Sequence, residues 1–441
     1  MIAERTYSKP FWVLLLIWGV LDLLCAMCCE IHADEAYYRL YGQFLSWGYF
    51  DHPPMVGLMT ALSASLIPAT SLILKNLSVR LVTVLLHMAT VYVVWKTINL
   101  KSPISNLQSS ISNLKFILLS ASLPMFCAYG FMTTPDAPLL FFAALFYYAY
   151  RRFTDEHSWS MTALLGLSMA GMMYSKYMAV LVIAFAVLGN WRLLRDGKAW
   201  TAVGLAAVLM IPHLWWQYAN HFPSITYHLV SRSTAYEPLY SLEFFPNQWA
   251  VFNPVVWGLM IWVGVRQWRN EDPYRRSLAI TILGFQLFFF LSAFRGHVEP
   301  HWTMVTSIPA IILLMDEPIV DRKGLRIALG VCVGLVLVAR LVLMLNILPA
   351  QTGLANKQPL YEHLHEEAQG RPIVFDGSFQ HASLYRFYYD DEAVLVRSAN
   401  DRYTQFDLLH LERALIGKPA CVRRKGQVYL TDHLTEEDLY E

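Results

Sequence analysis

The sequence is poor in charge. Asp, Glu, Lys and Arg make up only 15% of its 441 residues, against roughly 25% in soluble domains. That excludes an ordinary water-soluble globule, and a net charge of +1 excludes the basic surface that nucleic-acid binding requires. Cysteine is scarce too, with six residues that lie mostly inside apolar runs. Cys25, Cys28 and Cys29 imitate a metal-ligand spacing. They share one apolar run and no second pair follows, so they read as small buried hydrophobes. The N-terminal run begins with charge but lacks a small-residue cleavage site, which marks a retained signal anchor. Internal repeats and low-complexity tracts are also missing.

What is abundant is apolar sequence, 56% of the chain. Runs able to cross roughly 30 Å of hydrocarbon fall near 11–29, 79–98, 115–132, 138–150, 159–174, 177–190, 200–217, 250–265, 277–294, 301–315 and 325–348. The expectation is an α-helical polytopic membrane protein with about eleven transmembrane helices. The run 55–74, interrupted by Ser63, Ser65 and Pro68, reads instead as an interfacial helix. With a cytoplasmic N-terminus, the inner loops hold seventeen Lys and Arg and the outer loops before residue 349 hold six, as the positive-inside rule demands. Segments 30–78, 133–137, 218–249 and 295–300 then share the outer face.

The composition changes after Leu348. Residues 350–441 carry 10 of the 34 basic and 15 of the 33 acidic residues. Segments 372–377 and 393–398 read as short strands flanking a helix. The chain therefore divides into a membrane domain, 1–348, and a small C-terminal α/β domain, 349–441, which an odd span count puts in the periplasm.

Residues 31–57 follow the first span and crowd Asp34, Glu35, Asp51 and His52 among aromatics and a Pro-Pro. Such clustering beside a span marks a functional site. Asp34 and Glu35 open a helical pattern with Tyr37, Tyr38 and Tyr41, suited to the bilayer interface. Pro53 and Pro54 break the helix, leaving an acidic, aromatic loop over the membrane surface. Other outer polar groups sit at span ends: Asp136 between two prolines, Lys176, then His228 and Arg232 in the long loop, and Glu299 and His301 in GHVEPHW. Carboxylates there can serve as a general base toward a hydroxyl. Lys and Arg can hold a phosphate, and carboxylate with imidazole can bind a divalent ion such as Zn, Mg or Mn. Asp22, inside the first span, is left out of the site.

The motifs DEAYY (34–38), GYFDHPPM (48–55), TTPDAPLLFF (133–142), SKYMAVL (175–181), NPVVWG (253–258) and VEPHW (298–302) resemble the bacterial branch of the dolichyl-phosphate-mannose protein mannosyltransferase-like glycosyltransferases. The aminoarabinose transferases of lipid A belong to the same superfamily. The resemblance implies a GT-C fold whose first outer loop forms interfacial helices. It implies an inverting glycosyltransferase in the bacterial inner membrane, working on its periplasmic face. The donor would be a polyprenyl-phosphate sugar, and the acceptor a lipid or glycan, either lipid A or a lipid-linked oligosaccharide, with protein hydroxyls ranked behind. It makes Asp34 the base and Asp136 the second acid, with Glu35 grouped beside them as catalytic. Asp51 would keep a metal-carboxylate role; His228 and His301 are taken as its partners because they share the same face, not from the resemblance. His52 stands where the aminoarabinose transferases have a phosphate lysine, so Lys176 or Arg232 would supply that charge. Tyr38, Tyr49 and Glu299 complete the expected site. The competing reading is a flippase for lipid-linked glycans, which the missing repeat and the one-sided acids disfavour. A non-catalytic polyprenyl-binding scaffold would leave the acids unexplained.

Overall fold

The computed structural model describes residues 9–100, 106–227, 236–349, 352–389, 393–396, 402–424 and 426–440. It is built mainly of helices. The first apolar run becomes α1, Lys9–Cys28. After a short link come α2, Ala33–Gln43, α3, Met55–Leu66, and α4, Leu72–Ile98. Among the described residues, five helices are long and apolar enough to cross a membrane: α1, α4, Gly197–Ala219, Pro273–Ser292 and Lys323–Met344. A sixth span is possible only if Pro238–Phe252 and Pro254–Gln267 count as one, although they meet at 102°. Asn253 sits at that bend with φ 57°, where Pro254 prevents the helix from running straight on.

The other apolar runs also fold as helices, but shorter or interrupted ones. Trp159–Ser175 has 17 residues and Ala179–Gly189 has 11. Asn106–Ala121 stops before Pro124. The last outer loop enters the bundle as a 3-10 turn, Pro300–Thr306, before Ser307–Met315. Asp136–Glu156 is 21 residues long but charged at both ends. Packing inside the bundle allows these broken elements, because neighbouring helices take up the freed backbone groups.

The loop between α1 and α4 is a helical hairpin. Gly42 and Gly57 let α2 and α3 approach closely: a methyl group at Gly42 would lie 2.8 Å from the Ala61 nitrogen, and one at Gly57 would lie 2.4 Å from the Tyr49 hydroxyl. The tyrosine face of α2 does not turn toward lipid as its pattern suggests. Tyr37, Tyr38 and Tyr41 are buried in one core with Tyr361, Phe375, Tyr385 and Phe406 of the C-terminal region. A second domain competes successfully for that apolar face.

That domain is a four-stranded sheet ordered β2-β1-β3-β4, with β1 at Ile373–Asp376, β2 at Ala393–Val396, β3 at Ala420–Arg424 and β4 at Gln427–Thr431. β1 pairs in parallel with β2 and β3, and β4 closes the sheet antiparallel to β3. The expected strand–helix–strand unit is there, with Phe379–Tyr388 as its helix.

One buried pair fixes the outer end of the bundle. Glu35 and Arg80 have no exposed surface. Arg80 donates to both carboxylate oxygens at 2.8 and 2.6 Å, and to the carbonyls of Ala26, Cys29 and Glu30. Glu35 also accepts from the backbone N–H of His32 (3.1 Å) and Thr133 (2.7 Å). Replacing Arg80 by Met should therefore strand a buried carboxylate and cost about 3–5 kcal/mol. Thermal unfolding in detergent should show a clearly lowered midpoint; an unchanged midpoint would contradict this role.

Candidate active site

Asp34 follows directly from that pair, being the residue before Glu35 in the first turn of α2. His32 caps the helix by accepting from the Asp34 N–H. The Asp34 side chain is 43% exposed, with the His32 ring 3.7 Å away. Burial by the surrounding protein raises its pKa above the usual carboxylate range; the negative charge of Asp51 adds to this, and His32 and Arg402 oppose it.

Asp136 enters from the other side. Thr133, whose N–H is held by Glu35, also donates its hydroxyl to the Val79 carbonyl at 3.0 Å. The loop is thus pinned three residues before Asp136, the first residue of its helix. Lys176 donates to both Asp136 oxygens at 2.9 and 2.8 Å, and both residues are buried. His301 stands 3.7 Å from the same carboxylate. Lys176, expected to supply the phosphate charge, is held here as the buried counter-ion of Asp136.

Asp51 is the third acid. Its Oδ1 accepts a short hydrogen bond from the Tyr41 hydroxyl, and its Oδ2 accepts from Arg402 Nη2 at 2.7 Å. Tyr49 stacks on Tyr41 with centroids 4.0 Å apart and donates to the Tyr41 carbonyl at 2.8 Å, which fixes the turn. His52 meets the Tyr38 hydroxyl at 3.3 Å. That hydroxyl stands among the acids: its pKa is pushed well above the ordinary value, first by burial and then by the charges of Asp34, Asp51 and Asp136. Tyr129 is raised likewise by burial and by Asp136, Asp34 and Glu299.

Asp34, Asp51, Asp136, Tyr38, His52, Lys176, Glu299 and His301 therefore gather at one site. His228 and Arg232 lie outside the described residues. Glu35, grouped with the catalytic acids, is placed differently: its oxygens are saturated by Arg80 and two backbone N–H groups. Asp22 is paired inside the bundle, with His87 and Arg340 both at 2.7 Å. Three contributors were not singled out. Arg80 had a signal, as a cation within an apolar helix. Tyr129 and Arg402 had none, because only folding brings them to the loop.

The metal implied at Asp51 does not fit the described residues. Both Asp51 oxygens are occupied, one by a guanidinium that would repel a cation, and His301 faces Asp136 instead. No group of three or more His, Cys, Asp or Glu able to hold a metal occurs among the described residues. Cavities of about 80 and 370 Å³ open around Arg151 and Asp272, at the opposite end of the helix that begins with Asp136.

Residues 51–216 match the family model of the dolichyl-phosphate-mannose-protein mannosyltransferases. The lipid A galacturonosyltransferase RgtD of Rhizobium johnstonii is 26% identical over 326 residues. That match takes in 71% of this chain and 66% of the relative, just under two thirds of its length. The crystal structure of ArnT from Cupriavidus metallidurans in the apo state superposes with a TM-score of 0.65 at 13% identity, covering 94% of this chain and 93% of that one. ArnT bound to undecaprenyl phosphate gives 0.64 at 14% identity, covering 95% and 93%. The chain thus shares the fold of ArnT over nearly its whole length, and residues 51–216 carry the mannosyltransferase family match.

The GT-C fold fits the mostly helical chain, and the matched segment 51–216 contains Asp51, His52, Asp136 and Lys176. The buried Asp136–Lys176 pair gives a direct check. Lys176→Met should leave the protein less stable by about 3–5 kcal/mol, and adding Asp136→Asn should restore part of the loss. Thermal unfolding of the two variants reads this; a double variant no more stable than the single one would contradict the pairing.

Proposed function

We propose that this transferase moves a sugar from a polyprenyl-phosphate donor to a lipid hydroxyl on the periplasmic face, with lipid A as the first acceptor to test. The observation that carries the reading is the contrast among the clustered acids. Asp136 is bonded to Lys176, Asp51 to Arg402 and Glu35 to Arg80. Asp34 is half-exposed, and among the described residues no Lys or Arg hydrogen-bonds to it. A carboxylate that is reachable, partly desolvated and not hydrogen-bonded to a Lys or Arg among the described residues has what a general base needs.

In this reading Asp34 takes the proton of the acceptor hydroxyl. The hydroxyl oxygen attacks the anomeric carbon, the bond from that carbon to the phosphate oxygen breaks, and polyprenyl phosphate leaves. Attack opposite the leaving phosphate inverts the anomeric configuration. Asp136 with Lys176 and Tyr38 with His52 line the approach. RgtD, named for lipid A, supports the acceptor class, and ArnT bound to undecaprenyl phosphate supports the donor class. Residues 349–441 act in this proposal as an accessory domain that covers the site.

Labelled undecaprenyl-phosphate sugars incubated with purified protein and a lipid A extract test the reading. Label should move to lipid with release of undecaprenyl phosphate. Asp34→Asn should lower the rate by about 10²–10⁴-fold, the usual contribution of a general base, while the protein stays folded. Wild-type turnover by that variant would sink the assignment.

The raised pKa of Asp34 sets the sign of the pH dependence. The base works only when ionised, so the rate should rise with pH, and its acid limb should lie above the normal aspartate range. A rate that is flat down to the ordinary carboxylate pKa would contradict the desolvated base.

A further inference from the structure

We infer that Arg402, carried by the C-terminal domain, is the guanidinium that receives the phosphate of the donor. The inference deepens the proposed function and rests on it. It makes the accessory domain part of the active site and not merely a cover.

Arg402 is built into place. Its guanidinium lies over the Phe379 ring at 4.6 Å, donates Nη1 to the Tyr227 hydroxyl at 2.6 Å and Nη2 to Asp51 at 2.7 Å. Immediately after it, Thr404 and Asp407 form a capping box that starts the Gln405–Leu409 helix. Gln405 ties that helix to the outer loop: its N–H donates to the Tyr37 hydroxyl at 2.7 Å, and its side-chain oxygen accepts from the Phe50 N–H at 2.9 Å. These contacts bring residue 402 back to residue 51 across the whole sequence.

The guanidinium keeps capacity for a ligand. An arginine has five N–H donors, the two contacts named use two, and the side chain is 39% exposed. Its charge also reaches Asp34, which puts it beside the proposed base. The other cations compare poorly. Lys176 is buried and directed at both oxygens of Asp136. His52 is an imidazole engaged with Tyr38.

The chemistry favours such a group where leaving-group charge develops. A sugar phosphodiester carries one negative charge; when the bond to the anomeric carbon breaks, the phosphate gains a second. A held guanidinium meets that change with charge-assisted hydrogen bonds and little reorganisation.

Binding of undecaprenyl phosphate to the full-length protein in detergent tests this. Arg402→Gln should weaken binding roughly ten- to a hundredfold, as expected for lost hydrogen bonds to a charged group. If Arg402 only neutralised Asp51, the double variant Asp51→Asn/Arg402→Gln would regain wild-type affinity. The inference expects it to stay weak, and recovery overturns it. Unchanged affinity in Arg402→Gln also overturns it, and leaves the donor class standing. Should that variant fail to fold, Asp51→Asn alone carries the test. It keeps the guanidinium and removes its counter-charge, so it should bind at least as tightly as wild type, and weaker binding overturns the inference. A wild-type protein that does not bind undecaprenyl phosphate overturns the proposed donor class, and this inference with it.

Discussion

The site depends on one buried ion pair. Glu35 and Arg80 are fully enclosed, and a charge taken out of water persists only when its partner and remaining donors are all supplied. Here they are. Arg80 saturates three carbonyls at the end of α1, and Glu35 takes the N–H groups of His32 and Thr133. Those two backbone bonds are what the active site inherits. His32 caps the helix that carries Asp34, and Thr133 starts the turn that presents Asp136. The pair does no chemistry, yet it sets the relation between two acids that lie a hundred residues apart.

The same electrostatic demand sorts the remaining acids. Asp136 is given Lys176, Asp51 is given Arg402, and Asp22 inside the bundle is given His87 and Arg340. Each neutralised carboxylate costs less to bury and is less able to accept a proton. Asp34 is the exception, since protein crowds it while solvent still reaches it. A cation within reach but not bonded, Arg402, lets its charge persist without quenching its basicity.

Much of this was legible in the sequence, because hydrophobic run length and charge sidedness are strong signals in membrane proteins. The acid cluster of the first loop, the Asp136 turn, the Phe379–Tyr388 helix and its two flanking strands could all be read from local pattern. The β3–β4 hairpin could not, since the buried apolar stretch of β3 is only Ala420–Val422 and β4 is mostly exposed, with weak alternation. Glu35 reads like Asp34 in sequence; only Arg80, two helices later, separates the carboxylate that is stapled from the one that is not. The tyrosine stripe of α2 fits a lipid surface and a protein surface equally well, and the packing of a distant domain decided between them. Arg402 was invisible for the same reason. Run length alone does not reveal where proline or a polar helix end divides one apolar run into short packed helices.

The central claim is that one aspartate in this cluster is left to titrate. Infrared difference spectra on protein carrying ¹³C-labelled aspartate would measure it directly. The account predicts one protonated aspartyl band that disappears as pH rises above the normal carboxylate range and is absent in Asp34→Asn. A band that persists in that variant would mean that another acid holds the proton, and that the division of labour between Asp34 and its paired neighbours is wrong.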